Sequence, residues 1–249
     1  MRKVDLHIHS TYSDGLNSIE DIIKSAIDKG FEAVGISDHS YTSFDLSYCM
    51  KITEYRKYID ELNFLKEKYN DKIKIYCGIE QDFYSDAKTQ DFDYIIGSVH
   101  YLKIENTYIP VDESKEILLE AINKYFNGDI YALIELYFST VSQVSEKTNC
   151  DIIGHIDLIT KFNEDGKLLE ENDERYINSY KKACDTLLVQ NKLFEINTGA
   201  ISRGYRTSPY PSSDIYTYLK SNGAKFILSS DSHSKDNIGY KFDDYKKLI

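Results

Sequence analysis

The chain has 249 residues, with 30 basic and 41 acidic side chains and a formal net charge of −11 at pH 7. This acidic balance disfavours nucleic acid as a partner, because binding to a phosphate backbone is driven by Lys and Arg. No apolar run approaches the roughly 18 residues of a membrane span, and no hydrophobic leader follows Met1. The scattered cysteines form no CxxC pair, which is typical of a reducing compartment. We therefore expect a cytoplasmic protein without a membrane partner.

Short apolar strands alternate with amphipathic helices along the whole chain. The predicted strands are KVDLHIH (3–9), FEAVGIS (31–37), KIKIYCGIE (72–80), DYIIGSVH (93–100), CDIIGH (150–155), LFEINT (193–198) and AKFILSS (224–230). The predicted helices cover 16–30, about 50–70, two segments of 113–148 separated near Asn127 and Gly128, 172–191 and 211–223. This alternation predicts an α/β fold with a parallel sheet and right-handed crossovers. We expect one domain over 1–249 that closes into a TIM-like barrel, with an open doubly wound sheet as the second choice.

All the histidines fall at, or just beyond, the carboxyl ends of predicted strands. They are His7, His9, His39, His100, His155 and His233. The third strand has Glu80 in the matching position. In parallel α/β barrels the loops at this rim converge on one pocket, which carries the chemistry. The histidines are therefore interpreted as one functional site rather than as separate surface or core residues.

The spacing of these side chains favours metal binding. His7 and His9 are two residues apart, so both imidazoles point to the same face of a strand and can reach one ion. The carboxylates Asp14, Glu80 and Asp231 join the six imidazoles. Nine side chains are too many for a single ion, so two or three divalent ions such as Mn, Fe or Zn are expected. Two-metal sites of this kind are typical of phosphoesterases.

The motifs resemble those of the PHP (polymerase and histidinol phosphatase) superfamily. The matching stretches are VDLHIH, STYSDG, SDHS, GIEQDF, GSVHYL, GHID and DSH, in order from residue 4 to residue 233. Within the superfamily, GSVHYL and the segment NTGAISRGYRTSPYPSSDIYTYLKSNGAKFILSSDSH look most like those of the monofunctional histidinol-phosphate phosphatases. The resemblance implies a distorted (β/α)7 barrel.

The resemblance also implies a trinuclear site. One ion would take His7, His9, Glu80 and Asp231, a second Glu80, His100 and His155, and the third Asp14, His39 and His233. The implied reaction is hydrolysis of L-histidinol phosphate to L-histidinol and phosphate, a step of histidine biosynthesis. By this analogy a metal-bridging hydroxide, held by Glu80, His100, His155 and Asp231, attacks phosphorus.

A phosphate monoester also needs side-chain cations, and the rim loops contain three candidates. Guanidinium matches phosphate oxygens bidentately. The family's phosphate-binding arginine corresponds best to Arg206 in RGYRTSPYP, with Arg203 as its rival. Lys161 follows GHIDLIT, where related phosphatases often carry arginine; lysine supplies charge without the planar fork.

Other rim residues are weaker candidates. Those considered for the ammonium and imidazole of histidinol are Phe44, Asp45, Tyr101 and Glu113. Asp38 and Asp157 could orient neighbouring imidazoles, or could be helix caps or surface charges.

Three alternatives remain open at this stage. The chain could be a PHP phosphoesterase for another small phosphoester, a nucleotide or an oligonucleotide end. It could be a metal-binding regulatory protein without catalysis, although no ligand position lacks a suitable residue. A barrel hydrolase of C–N bonds also uses an HxH motif, but such sites commonly have a bridging lysine, and none stands beside Glu80. The oligomeric state cannot be inferred from the sequence.

Overall fold

A computed structural model describes residues 3–249. The strands are β1 (Val4–Asp5), β2 (Ala33–Ile36), β3 (Lys74–Asp82), β4 (Tyr94–Ser98), β5 (Tyr101–Ile104), β6 (Thr107–Pro110), β7 (Ile152–Ile153), β8 (Leu193–Asn197) and β9 (Lys225–Ser229). Seven of them form a parallel sheet in the order β1-β2-β3-β4-β7-β8-β9. All seven correspond to the strands predicted from the sequence.

Helices connect the strands and cover the outside of the sheet. The α-helices are α1 (Ile19–Asp28), α2 (Tyr55–Lys68), α3 (Lys115–Phe126), α4 (Ile130–Val141), α5 (Val144–Thr148), α6 (Glu174–Leu188), α7 (Gly199–Ser202), α8 (Ser213–Ser221) and α9 (Phe242–Tyr245). Ser18 caps α1 by accepting a hydrogen bond from the Asp21 backbone N–H. Asn127 and Gly128 end α3 in left-handed conformations, with φ of 52° and 84°, which is the predicted break between two helices.

The first and last strand segments meet and nearly close the sheet. Ile8 pairs with Ser232 in a parallel bridge. The His9 N–H donates to the Ser232 carbonyl at 2.9 Å, and the Ser232 N–H donates to the His7 carbonyl at 3.2 Å. The strand order follows the chain order without a reversal, unlike that of an open doubly wound sheet. The prediction of a distorted (β/α)7 barrel is therefore confirmed.

The lower part of the barrel is filled by apolar side chains. The Tyr94 ring occupies this space, and its hydroxyl donates to the Leu6 carbonyl. A Cβ at Gly35 would lie 2.2 Å from the Tyr94 hydroxyl oxygen, and one at Gly78 would lie 2.1 Å from its Cζ. Both glycines are thus needed to admit the ring. The polar side chains that follow the strand ends lie above this apolar layer.

Some elements of the structure were not predicted. Strands β5 and β6 form an antiparallel hairpin after β4. The segment 113–148 contains a third helix, α5, and a single helical turn, α7, follows β8. Across residues 3–249 no helix combines the length and hydrophobicity that crossing a lipid bilayer requires.

Candidate metal centre

The fold brings together the nine side chains that the sequence predicted as metal ligands. They come from the segments after β1 (His7, His9, Asp14), after β2 (His39), within β3 (Glu80), and after β4 (His100), β7 (His155) and β9 (Asp231, His233). They form overlapping sets in which the candidate ligand atoms lie within 4.8 Å of one another. The convergence follows from the parallel sheet, because all its strands end at the same rim.

The inner cluster consists of His7, His9, Glu80 and Asp231. Nε2 of His7 lies 3.2 Å from Glu80 Oε2 and 3.8 Å from Asp231 Oδ1. Nε2 of His9 lies 3.2 Å from Asp231 Oδ1 and 3.6 Å from Glu80 Oε2. All four residues are buried. Two imidazole nitrogens and two carboxylate oxygens thus face one small space.

The middle cluster consists of Glu80, His100 and His155. Nε2 of His155 lies 3.0 Å from Glu80 Oε1, and Nε2 of His100 lies 3.4 Å from the same oxygen. Ser98 donates to this oxygen at 2.6 Å. Because the other oxygen of Glu80 belongs to the inner cluster, one carboxylate joins two groups of imidazoles. Nδ1 of His39 also approaches that second oxygen, at 2.8 Å.

The outer cluster consists of Asp14, His39 and His233. Asp14 Oδ2 lies 3.2 Å from Nε2 of His233, and Asp14 Oδ1 lies 3.7 Å from Nε2 of His39. The His9 ring stacks between these two imidazoles, with centroid distances of 4.3 Å to His39 and 4.2 Å to His233. The outer cluster is therefore continuous with the inner one.

The backbone after β9 is shaped to present Asp231. This residue has φ of 46°, in the left-handed region that few side chains adopt without support. Gly199, at the start of α7, packs against it, and a Cβ there would lie 2.8 Å from the Asp231 carboxylate. A glycine at this position therefore lets α7 approach the carboxylate closely.

The hydrogen bonding of the inner cluster indicates that its residues fit a cation. Nε2 of His7 and Nε2 of His9 are buried and have no hydrogen-bond partner, although they lie 3.2 and 3.6 Å from Oε2 of Glu80. Buried polar atoms are normally hydrogen-bonded, so such a group needs an explanation. Imidazole and carboxylate together suit divalent transition metals. The donor set therefore fits an ion of that class.

Electrostatics divides the ligand candidates. Burial lowers the pKa values of His7, His39 and His100, but the neighbouring carboxylates outweigh burial and raise them above the usual range. Burial and the neighbouring imidazoles of His233 and His39 lower the pKa of His9 to about 3. Burial raises the pKa of Glu80, but the surrounding imidazoles, of which His7 acts most strongly, outweigh it and hold this pKa well below its usual range. His9 is consequently neutral and Glu80 ionised at pH 7, which are the forms that bind a metal.

Comparison with known proteins identifies the family. A family model, the PHP domain, matches residues 5–199. The chain belongs to the PHP domain family. The family predicted from the motifs is therefore confirmed.

Relatives of this PHP protein align over most of the chain, and two solved structures share its fold. A probable histidinol-phosphatase of Schizosaccharomyces pombe is 26% identical over an alignment 243 residues long, which covers 90% of this chain and 78% of that protein. A solved structure from Listeria monocytogenes has a TM-score of 0.84 at 21% identity, covering 98% of this chain and 100% of that one. The Lactococcus lactis histidinol phosphate phosphatase was solved with zinc, L-histidinol and phosphate. Its structure has a TM-score of 0.71 at 22% identity and covers 100% of this chain and 92% of that one.

A cavity of about 420 Å³ opens onto the middle and outer clusters of the PHP domain. Arg203 and Lys161 both line it. Arg203 is held by Asp231, to whose carbonyl it donates at 2.9 Å and to whose carboxylate it donates at 3.2 Å. Lys161 donates to the carbonyl of Asp112 at 2.7 Å and lies 3.2 Å from its carboxylate. Two cations thus reach the cavity.

Arg206, which the sequence ranked above Arg203, points elsewhere. It is not among the residues that line the cavity. Its guanidinium hydrogen-bonds Thr160 and stacks on the Tyr210 ring at 4.8 Å. Arg203 directly follows the single turn α7, whereas Arg206 comes after a further turn at Gly204, where φ is 77°. Arg203 therefore reaches the cavity, whereas Arg206 lies against Thr160 and Tyr210. The choice of Arg206 as the phosphate-binding arginine stays a prediction.

The residues considered for the ammonium and imidazole of histidinol also divide into those that line the cavity and those that do not. Asp45, Tyr101 and Glu113 line the cavity. Phe44 is not among its lining residues, and stacks on Tyr108 with a centroid distance of 3.7 Å.

The two aspartates considered as imidazole partners have other roles. Asp38 accepts hydrogen bonds from the backbone and hydroxyls of Ser10 and Ser13. Asp157 accepts from the Ser212 N–H at 2.8 Å. Neither carboxylate forms a hydrogen bond with an imidazole among the described residues. Both carboxylates are fully buried and accept hydrogen bonds from neighbouring loops, so neither is a surface charge.

Sequence reasoning missed Glu195. It is fully buried in β8, and its carboxylate lies 2.6 Å from Nδ1 of His7. The signal in the sequence was a single charge within LFEINT, an otherwise apolar strand.

Proposed function

We propose that this chain is a metal-dependent phosphatase that hydrolyses L-histidinol phosphate to L-histidinol and phosphate, a reaction that would place it in histidine biosynthesis. The observation that carries the proposal is the composition of the cavity wall. The wall combines imidazole and carboxylate donors, two side-chain cations and a group of acids. A zwitterionic phosphoester needs all three kinds of partner.

Three ions are proposed, one for each cluster. The inner ion would take His7, His9, Glu80 and Asp231, the middle ion Glu80, His100 and His155, and the outer ion Asp14, His39 and His233. When bound, divalent ions supply a water of lowered pKa and stabilise charge on the phosphoryl group. Mn, Fe and Zn are the proposed metals, because each suits imidazole and carboxylate together.

The cations of the chain would hold the phosphate. The Arg203 side chain is about one-quarter exposed, so its guanidinium can contact a ligand while Asp231 fixes its position. Its planar fork matches two phosphate oxygens. Lys161 would add charge without that geometry. Together they would orient the ester and offset charge on the equatorial oxygens as the P–O bond breaks.

The acids of the cavity would bind the ammonium of histidinol. Asp45 accepts hydrogen bonds from Tyr101 at 2.6 Å and from the Ser47 hydroxyl at 2.6 Å. These bonds hold its carboxylate in place beside the cavity. Glu113 is exposed on the same wall and adds a further acceptor. A phosphoester without an amine would leave these carboxylates without a cationic partner.

Similarity to known proteins supports the proposal. The fission-yeast relative, whose name is that of a histidinol-phosphatase, aligns over 90% of this chain. The Lactococcus lactis protein of the same fold binds zinc, L-histidinol and phosphate.

The test is phosphate release from a panel of phosphoesters by protein reloaded with Mn, Fe or Zn. We expect L-histidinol phosphate to have the highest kcat/KM, and EDTA to abolish its turnover. Preference for a nucleotide, an oligonucleotide end or another metabolite would retain the phosphatase and overturn the substrate. No turnover of any phosphoester by metal-loaded protein would overturn the proposal as a whole.

A further inference from the structure

The position of Glu195 suggests a role that no metal ligand performs. It is the third residue of β8, and its side chain points into the barrel above Leu193, which belongs to the apolar layer. We propose that Glu195 is a positioning residue, which holds His7 in one tautomer and orientation and thereby sets the affinity of the inner cluster for its ion. The inference rests on the proposed function, in which His7 binds a metal.

The carboxylate of Glu195 joins several parts of the site. Oε1 lies 2.6 Å from Nδ1 of His7. Oε2 accepts from the backbone N–H of His155 at 3.1 Å and from the Asn197 amide at 3.2 Å. The Asn197 amide in turn lies 3.4 Å from Asp231 Oδ2. One side chain therefore touches the segments that carry ligands of both the inner and the middle cluster.

The short contact determines which nitrogen of His7 is free. An ionised carboxylate can only accept, so Nδ1 of His7 must carry the proton that is shared with Glu195. In the neutral ring Nε2 then keeps its lone pair, and this is the atom that faces Glu80 and Asp231 at 3.2 and 3.8 Å. A carboxylate behind the imidazole fixes the ring and raises its basicity as a ligand.

His9 provides an internal comparison. Both of its ring nitrogens are buried without a hydrogen-bond partner. The nearest carboxylate to its Nδ1 is Asp14, at 4.0 Å. The two imidazoles of the HxH motif are thus unequal, and only His7 is held from behind by a buried carboxylate.

The surroundings of Glu195 argue against a purely structural explanation. The layer beneath it contains Leu193, Ile227 and Ile152, so the barrel directly below this carboxylate is apolar. Burying a carboxylate costs free energy unless it is paired and hydrogen-bonded. A charge in this position is best explained by what it does to His7.

Glu195→Gln is the informative variant, because it keeps the size and removes the charge. The carboxylate serves donors on both oxygens, whereas an amide has only one oxygen. The variant must therefore place an NH2 group against either the His7 ring or the His155 N–H. Asp157→Asn is the matched control, since Asp157 is an equally buried carboxylate that touches Ser212 and no imidazole.

The experiment measures Zn²⁺ binding to metal-stripped protein by competition with a chromophoric chelator. We expect Glu195→Gln to lower the affinity for one Zn²⁺ ion by about 10- to 100-fold, which is the usual effect of losing a hydrogen-bond partner of a metal ligand. The affinities for the other ions should not change. Asp157→Asn should bind every ion as the wild type does. Glu195→Asp, which keeps the charge but is one methylene shorter, should lie between Glu195→Gln and the wild type.

Two results would overturn this inference without affecting the proposed function. Wild-type affinity for every ion in both Glu195 variants would show that the carboxylate does not act on the site. An equal weakening in Asp157→Asn would show a general effect of disturbing the barrel. If the wild-type protein itself binds no Zn²⁺, the proposed function fails and the inference with it. If Glu195→Gln does not fold, the Zn²⁺ affinity of Glu195→Asp is compared with that of the wild type. A lower affinity supports the inference, and an equal affinity overturns it.

Discussion

The inner and outer clusters contain similar ligands in different surroundings. His7 and His9 are completely buried, and His7 is held from behind by Glu195. In the outer cluster the side chain of Asp14 is 34% exposed and that of His233 is 23% exposed. Buried ligands are pre-organised, whereas exposed ligands must be ordered when an ion arrives. In the proposed three-ion site, the inner ion would therefore bind tightly and the outer ion would exchange with solvent through the cavity.

The largest expected effect is that of Glu80→Gln, which tests the link between the clusters. Glu80 gives one oxygen to the inner cluster and the other to the middle cluster. Removing its charge should weaken two ions at once and lower phosphate release by more than the roughly 10²- to 10³-fold that one stabilising group contributes. The measurement is steady-state kinetics with L-histidinol phosphate.

Glu61→Gln is its matched control, because that carboxylate accepts from the Tyr12 hydroxyl outside the cavity. Glu61→Gln should keep wild-type activity. Retention of activity by Glu80→Gln would contradict the bridging role.

Asp14→Asn tests the exchangeable character of the outer cluster. We expect the loss of one ion per chain and a fall in kcat of about 10- to 100-fold, while the melting temperature of the metal-free protein stays the same. The reason is that the Asp14 side chain is 34% exposed and accepts a long hydrogen bond, at 3.4 Å, from the Ser13 hydroxyl, so it contributes little to packing. Metal content and thermal unfolding are the measurements. Asp86→Asn, at a side chain that is 95% exposed, is the control and should change neither. An unchanged metal content in Asp14→Asn would contradict the proposal that the outer cluster holds a more weakly bound ion than the inner cluster.

Arg203→Lys and Arg206→Lys form a pair that separates binding from packing. Arg203→Lys should raise KM for L-histidinol phosphate about tenfold, because one charge-assisted hydrogen bond to phosphate is lost. Arg206→Lys should leave KM unchanged and lower the free energy of unfolding by about 1–2 kcal/mol, because its buried contact with Thr160 is weakened. The reverse pattern would restore the ranking that the sequence suggested.

Asp45→Asn should have the smallest effect, because Asp45 lines the cavity without being a proposed metal ligand. Neutralising this acid should raise KM for L-histidinol phosphate by a few-fold, since one exposed ion pair contributes about 1 kcal/mol or less. The des-amino analogue, which has no ammonium, should be hydrolysed equally well by both proteins. An equal rise in KM for L-histidinol phosphate and for the des-amino analogue would mean that Asp45 does not recognise the amine.

The fold and the clustering of ligands could be predicted because both depend on regular geometry. Parallel strands end at one rim, so histidines at successive strand ends had to converge whatever the connecting loops did. His7, His39 and His155 needed no knowledge of loop structure to be placed together.

What could not be predicted depends on local turns and distant contacts. The choice between Arg203 and Arg206 depends on the turn at Gly204, which no periodic pattern encodes. Glu195 lies 188 residues from His7 along the chain, and only the closed barrel brings the two together. The hairpin of β5 and β6 turns at Glu105, with φ of 54°, where the usual Asn-Gly signal for a tight turn is absent.

The most direct test of the account is a titration of the metal-stripped protein with Mn²⁺ or Zn²⁺, with metal bound per chain and phosphate released from L-histidinol phosphate measured together. We expect no phosphate release before the inner cluster fills, and full activity only when the outer, weakest site is occupied. Phosphate release by metal-free protein, or a fully loaded protein that leaves L-histidinol phosphate intact, would contradict it.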